Sequence, residues 1–370
     1  MELGGVANDL FKSYFSNRKQ RICINGTYSS LLGDILLGVL QGSILGVLMF
    51  LIFVNDIQFA CPELLSILFA DDNSAYIEAD NIEELILKSN LELKLLFDWY
   101  TSNRLAIHPG KSRCMLFYPP TRTPNLPRVN NELYFPLYLD YNDPLDPSAF
   151  SISRIKHIRI IPNAEEDSFR VLGVLFDQHL SLKFHIRKIH SKITSAIFSL
   201  KQMKYLLDKK HLKLLANAYI KSHIEYCCNV FCLCTESTIK PITILLKKAI
   251  RVICNKPPWF HANTLFKQEY VLPVPELIEF NILKFMQKYK YNLTPSTFEG
   301  TWNINVSVSG YNTRAANNIH QEAFELHQFK RHPFFTFPKK WNDLPNNLKN
   351  IACSKTFHRE AKTYLLNSLL

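Results

Sequence analysis

Two adjacent carboxylates, Asp71 and Asp72, stand in Phe69-Ala70-Asp71-Asp72-Asn73 between two β-like runs, residues 64–70 and 74–77. Paired carboxylates at a strand end suit divalent cations, which take hard oxygen ligands. Two-metal phosphoryl transfer holds its ions about 3.5–4 Å apart to clamp the attacking and leaving oxygens. Neighbouring strand side chains point to opposite faces, so an Asp-Asp pair needs a third carboxylate from another strand. The competing reading is plain turn chemistry, for which Asp and Asn are well suited.

The nine cysteines offer a second candidate chemistry. Cys227, Cys228, Cys232 and Cys234 fall close together, with His261 downstream as an extra ligand for zinc. No C-x-x-C pair is present, and adjacent cysteines chelate poorly from one helix or strand. The expectation is therefore small buried core residues and no zinc. An odd cysteine number without regular spacing, and no secretory leader, point to free thiols in an intracellular, reducing compartment.

With 370 residues, 47% of them hydrophobic, and a net charge of +11, the chain is too apolar for disorder and basic enough for a polyanionic partner. The charge is unevenly spread. Residues 183–256 hold 15 Lys/Arg against three acids, whereas residues 1–118 hold nine against 13. A one-sided run of this kind serves phosphate binding or forms a solvated face. Residues 35–54 carry no charge over twenty positions, the length of a membrane span. Gln41-Gly42-Ser43 interrupts the run, and its nearest charged flanks are acidic, so the expectation is a buried loop and helix of a large core and no membrane.

The elements that must position these groups follow from periodicity. Helices are expected over 3–16, after Ser43, and over 81–103, where apolar residues recur at helical spacing. Strands are expected over 20–25, 64–70, 74–77, 114–118 and 169–176. Seven prolines between Pro119 and Pro147 mark a loop or insertion with little regular structure. Residues 181–256 read as successive helices broken near Asp208 and Pro241. Further helices are expected over 275–291 and 355–368, around an irregular stretch from 295 to 350.

Residues 38–57 (GVLQGSILGVLMFLIFVNDI), Phe69-Ala70-Asp71-Asp72 and residues 103–117 (NRLAIHPGKSRCMLF) occur in an order and spacing that resemble consecutive motifs of reverse transcriptases. The similarity is to enzymes of non-LTR (LINE-type) retrotransposons of the jockey-like and related groups. The opening SYFSNRKQRICING, Val171-Leu172-Gly173-Val174, the basic helices, Asn312-Thr313-Arg314 and Trp341-Asn342-Asp343-Leu344-Pro345 extend it over nearly the entire chain.

The resemblance implies an α+β fold: a partial palm with a small antiparallel sheet and packed helices, then a mostly helical thumb and C-terminal region. Its divisions are a palm over 1–118, the insertion over 119–167, a primer-grip strand and thumb over 168–256, and a C-terminal extension over 257–370. Asp71 and Asp72 would be palm Mg²⁺ ligands, and Lys111 would lie near the leaving pyrophosphate, although isolated from its motif a lysine there reads as an exposed turn residue. Gln41, Gly42 and Ser43 would line the nucleotide pocket, and Leu172 and Gly173 would form the primer grip. Lys183, Arg187, Lys188, Lys192, Lys201, Lys204, Lys209, Lys210 and Lys213 would follow the phosphates of an RNA template–DNA primer duplex.

Two departures bear on activity. The family's first metal-binding aspartate precedes the segment matching residues 3–25, and the chain begins at Met1. Glu2, Asp9 and Asp34 do not fall where they could replace it. Leu40 and Val47 stand where the family carries prolines, and Leu40 loosens a loop that proline would fix. The expectation is a truncated RNA-directed DNA polymerase that does not copy by itself. The alternative is a non-catalytic, sequence-tolerant nucleic-acid-binding module.

Overall fold

The computed structural model describes residues 4–35, 38–40, 42–107, 111–119, 128–129, 132–133, 137–142, 150–154, 168–309, 318–321 and 330–369. The chain is mixed helix and sheet, with small antiparallel sheets and, among the described residues, no barrel. It divides into two compact units, Met1–Arg113 with Asn125–His157, and Cys114–Pro124 with Ile158–Leu370.

The first unit runs α1 (Gly5–Phe15), β1 (Lys19–Gln20), β2 (Cys23–Ile24), β3 (Thr27–Tyr28), β4 (Gly33–Asp34), α2 (Ile44–Val54), α3 (Ile57–Ala60), β5 (Leu65–Phe69), β6 (Asp72–Tyr76) and α4 (Ile82–Ser102). It continues with β7 (Arg128–Val129), β8 (Glu132–Leu133), β9 (Tyr138–Asn142) and β10 (Phe150–Arg154). Asn25 and Gly26, at φ 49° and 81°, supply the two left-handed residues that a tight hairpin between β2 and β3 requires. Asn81 caps α4 by accepting from Glu84 N–H at 2.8 Å.

Several expectations fail here for identifiable reasons. Residues 114–118 form no strand, only an isolated bridge at Cys114. The proline-rich segment does carry regular structure: β9 and β10 pair antiparallel over five residues each, in stretches free of proline. α2 is not buried in a large core. The unit's buried apolar cluster is Ile57, Cys61, Leu64 and Leu96, too small to cover it, and Ile44, Val47, Leu48, Leu51 and Ile52 stay exposed. At 11 residues α2 spans about 16 Å, against a hydrocarbon core of roughly 30 Å. No helix among the described residues is long and apolar enough to cross a membrane.

The second unit begins with β11 (Phe169–Val171) and β12 (Val174–Phe176), followed by α5 (Lys183–Met203), α6 (Lys209–Ala216), α7 (Ser222–Glu225), α8 (Glu236–Ile253), α9 (Ala262–Gln268) and α10 (Val274–Lys290). Next come α11 (Asn305–Ser309), α12 (Pro333–Asn342), α13 (Asn346–Lys349) and α14 (Ser354–Asn367). The single strand expected over 169–176 is a hairpin, because Leu172 and Gly173 take φ 45° and 89° and fold it in two. Pro241 breaks nothing. It is exposed within α8, where the missing N–H costs one hydrogen bond while Ile242, Leu245, Ala249 and Ile250 hold the helix on the core. The helices part instead at Tyr226–Cys227, where Cys227 is left-handed at φ 52°, and again at Cys234–Thr235, just before α8 and a few residues upstream of Pro241. The stretch expected to be irregular contains α12, with Pro at its first turn and Pro338 inside.

One hydrophobic core runs from Val174 to Leu369 and draws on both sides of Pro257-Pro258. α5 turns Ile186, Ile189, Ile193, Ile197 and Leu200 inward, and α14 turns Phe357, Ala361 and Leu365 inward. α10 lies between neighbours and buries Gln287 completely. Its amide is satisfied, donating to Ala352 O at 2.9 Å and accepting from Ser354 Oγ at 3.2 Å.

Candidate functional site

The acidic hairpin lies in the first unit. β5 pairs with β6 from Leu65↔Tyr76 to Phe69↔Asp72, so the two-residue loop is Ala70–Asp71 and the turn is tighter than Asp71-Asp72-Asn73. Ala70, at φ 53°, turns the chain. Asp71 therefore sits on the loop, Asp72 opens β6, and both are exposed. Their oxygens are of the type Mg²⁺ takes. Among the described residues no group of three or more His, Cys, Asp or Glu could hold a metal ion, so no third side chain of these types joins the pair there. Lys111 is exposed, and among the described residues no hydrogen bond or ion pair joins it to either aspartate.

Gln41 lies outside the described residues, as do residues 108–110 and Asn312-Thr313-Arg314. Gly42, at φ 87°, has nothing within 4 Å of where a Cβ would stand, so its backbone angle, not crowding, calls for glycine. Ser43 caps α2: its hydroxyl accepts from Gly46 N–H at 3.0 Å, reaches Leu40 O at 2.9 Å, and meets Tyr14 Oη at 2.6 Å. Sequence reasoning passed over Gly46. A Cβ there would stand 2.6 Å from Leu40 O and 2.8 Å from Ser43 Oγ, so the loop closes onto the helix only with glycine. The signal was present in the Gly-Ser-Ile-Leu-Gly spacing.

In the second unit, Leu172 and Gly173 form the tip of the β11–β12 hairpin. Tyr226 Oη donates to Leu172 O, and its ring lies 3.5 Å from where a Gly173 Cβ would be. Asp177, also passed over, pins the link from β12 to α5. Its carboxylate accepts from His179 N–H at 3.1 Å, Ser181 N–H at 3.0 Å and Ser181 Oγ at 2.9 Å. Such charge-assisted bonds fix the start of α5 relative to the hairpin.

α5 carries five Lys/Arg and no acid. At 100° per residue, Lys183, Arg187 and Lys201 fall on one flank of its exposed face, and Lys188 and Lys192 on the other. Lys183, Arg187, Lys192 and Lys201 are exposed, and Lys188 is half-buried. Beyond α5, Lys204 is half-buried and Lys210 exposed. Lys209 and Lys213 are not free: both Nζ atoms pair with the Glu269 carboxylate, Lys213 at 3.6 Å, and Lys213 also donates to Glu269 O at 2.7 Å. Their charge is partly neutralised by a residue 56 to 60 positions away.

The cations of α5 leave a mark on nearby imidazoles. His185 is buried and its Nδ1 faces Leu175 N–H at 3.4 Å. Burial, then the charges of Lys188 and Lys192, hold its pKa below the usual histidine value. His223 is depressed by burial and by Lys192. As pH falls below about 6.5, the unfolded chain takes up protons that the native imidazoles refuse, so stability declines with acidification. Each such proton costs at most about 1.4 kcal/mol per pH unit. The thermal midpoint is therefore expected to fall between pH 7.5 and 5.5, and His185→Leu to flatten that decline. An identical pH slope in the variant would remove His185 from the explanation.

The cysteine cluster behaves as core only in part. Cys228 and Cys234 are buried, Cys232 is half-buried, and Cys227 is exposed at the left-handed break before the short turn of helix over Cys228–Leu233. Burial pushes the thiols of Cys228, Cys232 and Cys234 up to about 12, which leaves them unreactive.

The chain thus combines small antiparallel sheets carrying an exposed acidic hairpin with a helical unit presenting an acid-free cationic helix. It is 23% identical over 279 residues to a Drosophila melanogaster protein named "Probable RNA-directed DNA polymerase from transposon X-element". The match covers 71% of this chain and 26% of that relative, so the chain spans about a quarter of its length. This likeness supports a distant relationship to retrotransposon reverse transcriptases. No family model matches the chain. No solved structure matches it.

Proposed function

We propose that this chain is a reverse-transcriptase polypeptide of the non-LTR type whose second unit grips a template–primer duplex through α5. The observation that carries this reading is the exposed face of α5, cationic on both flanks, free of acids, and anchored by six inward apolar residues. Duplex phosphates demand such a surface and no particular base sequence. Leu172 and Gly173 at the hairpin tip would meet the primer strand. In the first unit, Asp71 and Asp72 would face Mg²⁺ and Lys111 the pyrophosphate, with Gln41, Gly42 and Ser43 at the nucleotide.

The shortage of carboxylates among the described residues favours binding without copying by these 370 residues alone. The purified chain is expected to bind a primed RNA template yet incorporate no nucleotide in the presence of Mg²⁺. Incorporation that disappears in Asp71→Ala would restore catalysis to this chain and reject the purely binding reading. Absence of salt-sensitive duplex binding would reject the proposal as a whole.

A further inference from the structure

We infer that the end of the second unit where α5 and α8 finish binds an unpaired stretch of nucleic acid, its bases stacking on Trp259 and Tyr205 among lysines. This rests on the reading of that unit as a nucleic-acid-binding body and adds the class of strand.

α5 and α8 pack together. Near their starts, the His185 ring lies 5.9 Å from Phe231, just upstream of α8. At their ends, Lys209 at the start of α6 and Cys254 at the cap of α8 both meet the Glu269 carboxylate. The connections 204–208 and 254–261 therefore leave from one end of the unit. On them Tyr205 is 80% exposed and Trp259 is 82% exposed. Rings left in water forgo the stabilisation that burial would bring, so neither contributes to the core.

Both loops are held in place. Arg251 Nε donates to Phe260 O at 2.8 Å, and Phe260 N–H to Pro257 O at 3.1 Å, directly around Trp259. Leu206 and Leu207 N–H both donate to Met203 O at 2.9 Å. Lys204 Nζ stands 4.7 Å from the Tyr205 ring centroid, and Lys256 lies on the other loop. Aromatic faces bordered by cations suit bases and phosphates together. A duplex keeps the base faces along its length stacked internally and opens only those of its end pairs, so between its ends only unpaired nucleotides can use the rings. An anionic bilayer also takes Trp, Tyr and Lys, but interfacial helices of that kind present them on one amphipathic face whose apolar side enters the headgroup layer. Here the rings lie on two short loops.

The test uses the full chain with three probes: oligo(dT), a blunt RNA–DNA duplex, and vesicles of phosphatidylserine in phosphatidylcholine. Trp259→Ala is expected to weaken oligo(dT) binding about tenfold and leave duplex binding unchanged, while Trp259→Phe retains most of the affinity. Oligo(dT) should quench tryptophan emission in the wild type and not in Trp259→Phe. If Trp259→Ala binds oligo(dT) as the wild type does, with duplex binding intact, the inference falls alone. Failure of the wild type to bind either nucleic acid removes the proposed function with it. Capture by vesicles, lost in Trp259→Ala and without oligo(dT) binding, would make a membrane the occupant and overturn the inference.

Discussion

Replacing Lys183, Arg187, Lys188 and Lys192 together by glutamate is expected to lower affinity for an RNA–DNA duplex by at least about 100-fold near physiological salt. Each phosphate contact releases counterions, so the log–log salt slope should become shallower by roughly 3 to 4. The four residues sit on a helix whose inward face is separate, Ile186, Ile189, Ile193 and Ile197, so the fold does not depend on their charge. Reversal also removes the cations that depress His185 and His223. Lys209 and Lys213 make a poorer test. Reversing either sets like charges against Glu269, and lost binding would be confounded with damage to the packing of α6. Unchanged affinity and slope in the fourfold variant, measured by fluorescence anisotropy across a salt series, would dismiss α5 as the interface.

Phe357→Ala is expected to produce the largest loss of stability. Phe357 is 0% exposed on α14, with Trp341 of α12 at 6.0 Å between ring centroids. Truncating a buried phenylalanine costs about 3–5 kcal/mol through lost transfer energy and the cavity left behind. A domain's whole stability is roughly 5–15 kcal/mol. For a unit of this size the thermal midpoint should fall by roughly 10 °C. Phe357→Leu, which refills most of the space, should lose far less. A wild-type melting curve for the alanine variant, followed by circular dichroism at 222 nm, would mean that α14 is not part of the cooperative core. Because the core joins α5 to α14, nucleic-acid binding should vanish at the same temperature as helicity.

How much of this was legible beforehand depended on how far each signal reaches along the chain. Helix ends were readable because caps act within one turn: Ser43, Asn81 and Asp208 each accept from an N–H three residues on. The amphipathic helices α4, α5, α10 and α14 were readable because a core-facing stripe repeats at helical spacing. The acidic hairpin was placed correctly and its turn only one residue out, since Asp and Asn both favour turns while the strand register selects which pair turns. The uneven charge needed only counting.

Tertiary structure alone decided the rest. It folded residues 169–176 in two at Leu172–Gly173, where Tyr226 arrives from 54 residues away. It bound Lys209 and Lys213 to Glu269, and it pressed His185 into a pocket beside Lys188 and Lys192, so that a lysine list became a set of free and neutralised charges. It tolerated Pro241 because four buried neighbours outweigh one missing hydrogen bond. It left the apolar face of α2 in water, which composition alone had assigned to a core. Spacing encodes which residues share a face, a property of the local backbone. What that face meets depends on segments tens of residues distant, and ion pairing, burial and the protonation they impose are set there.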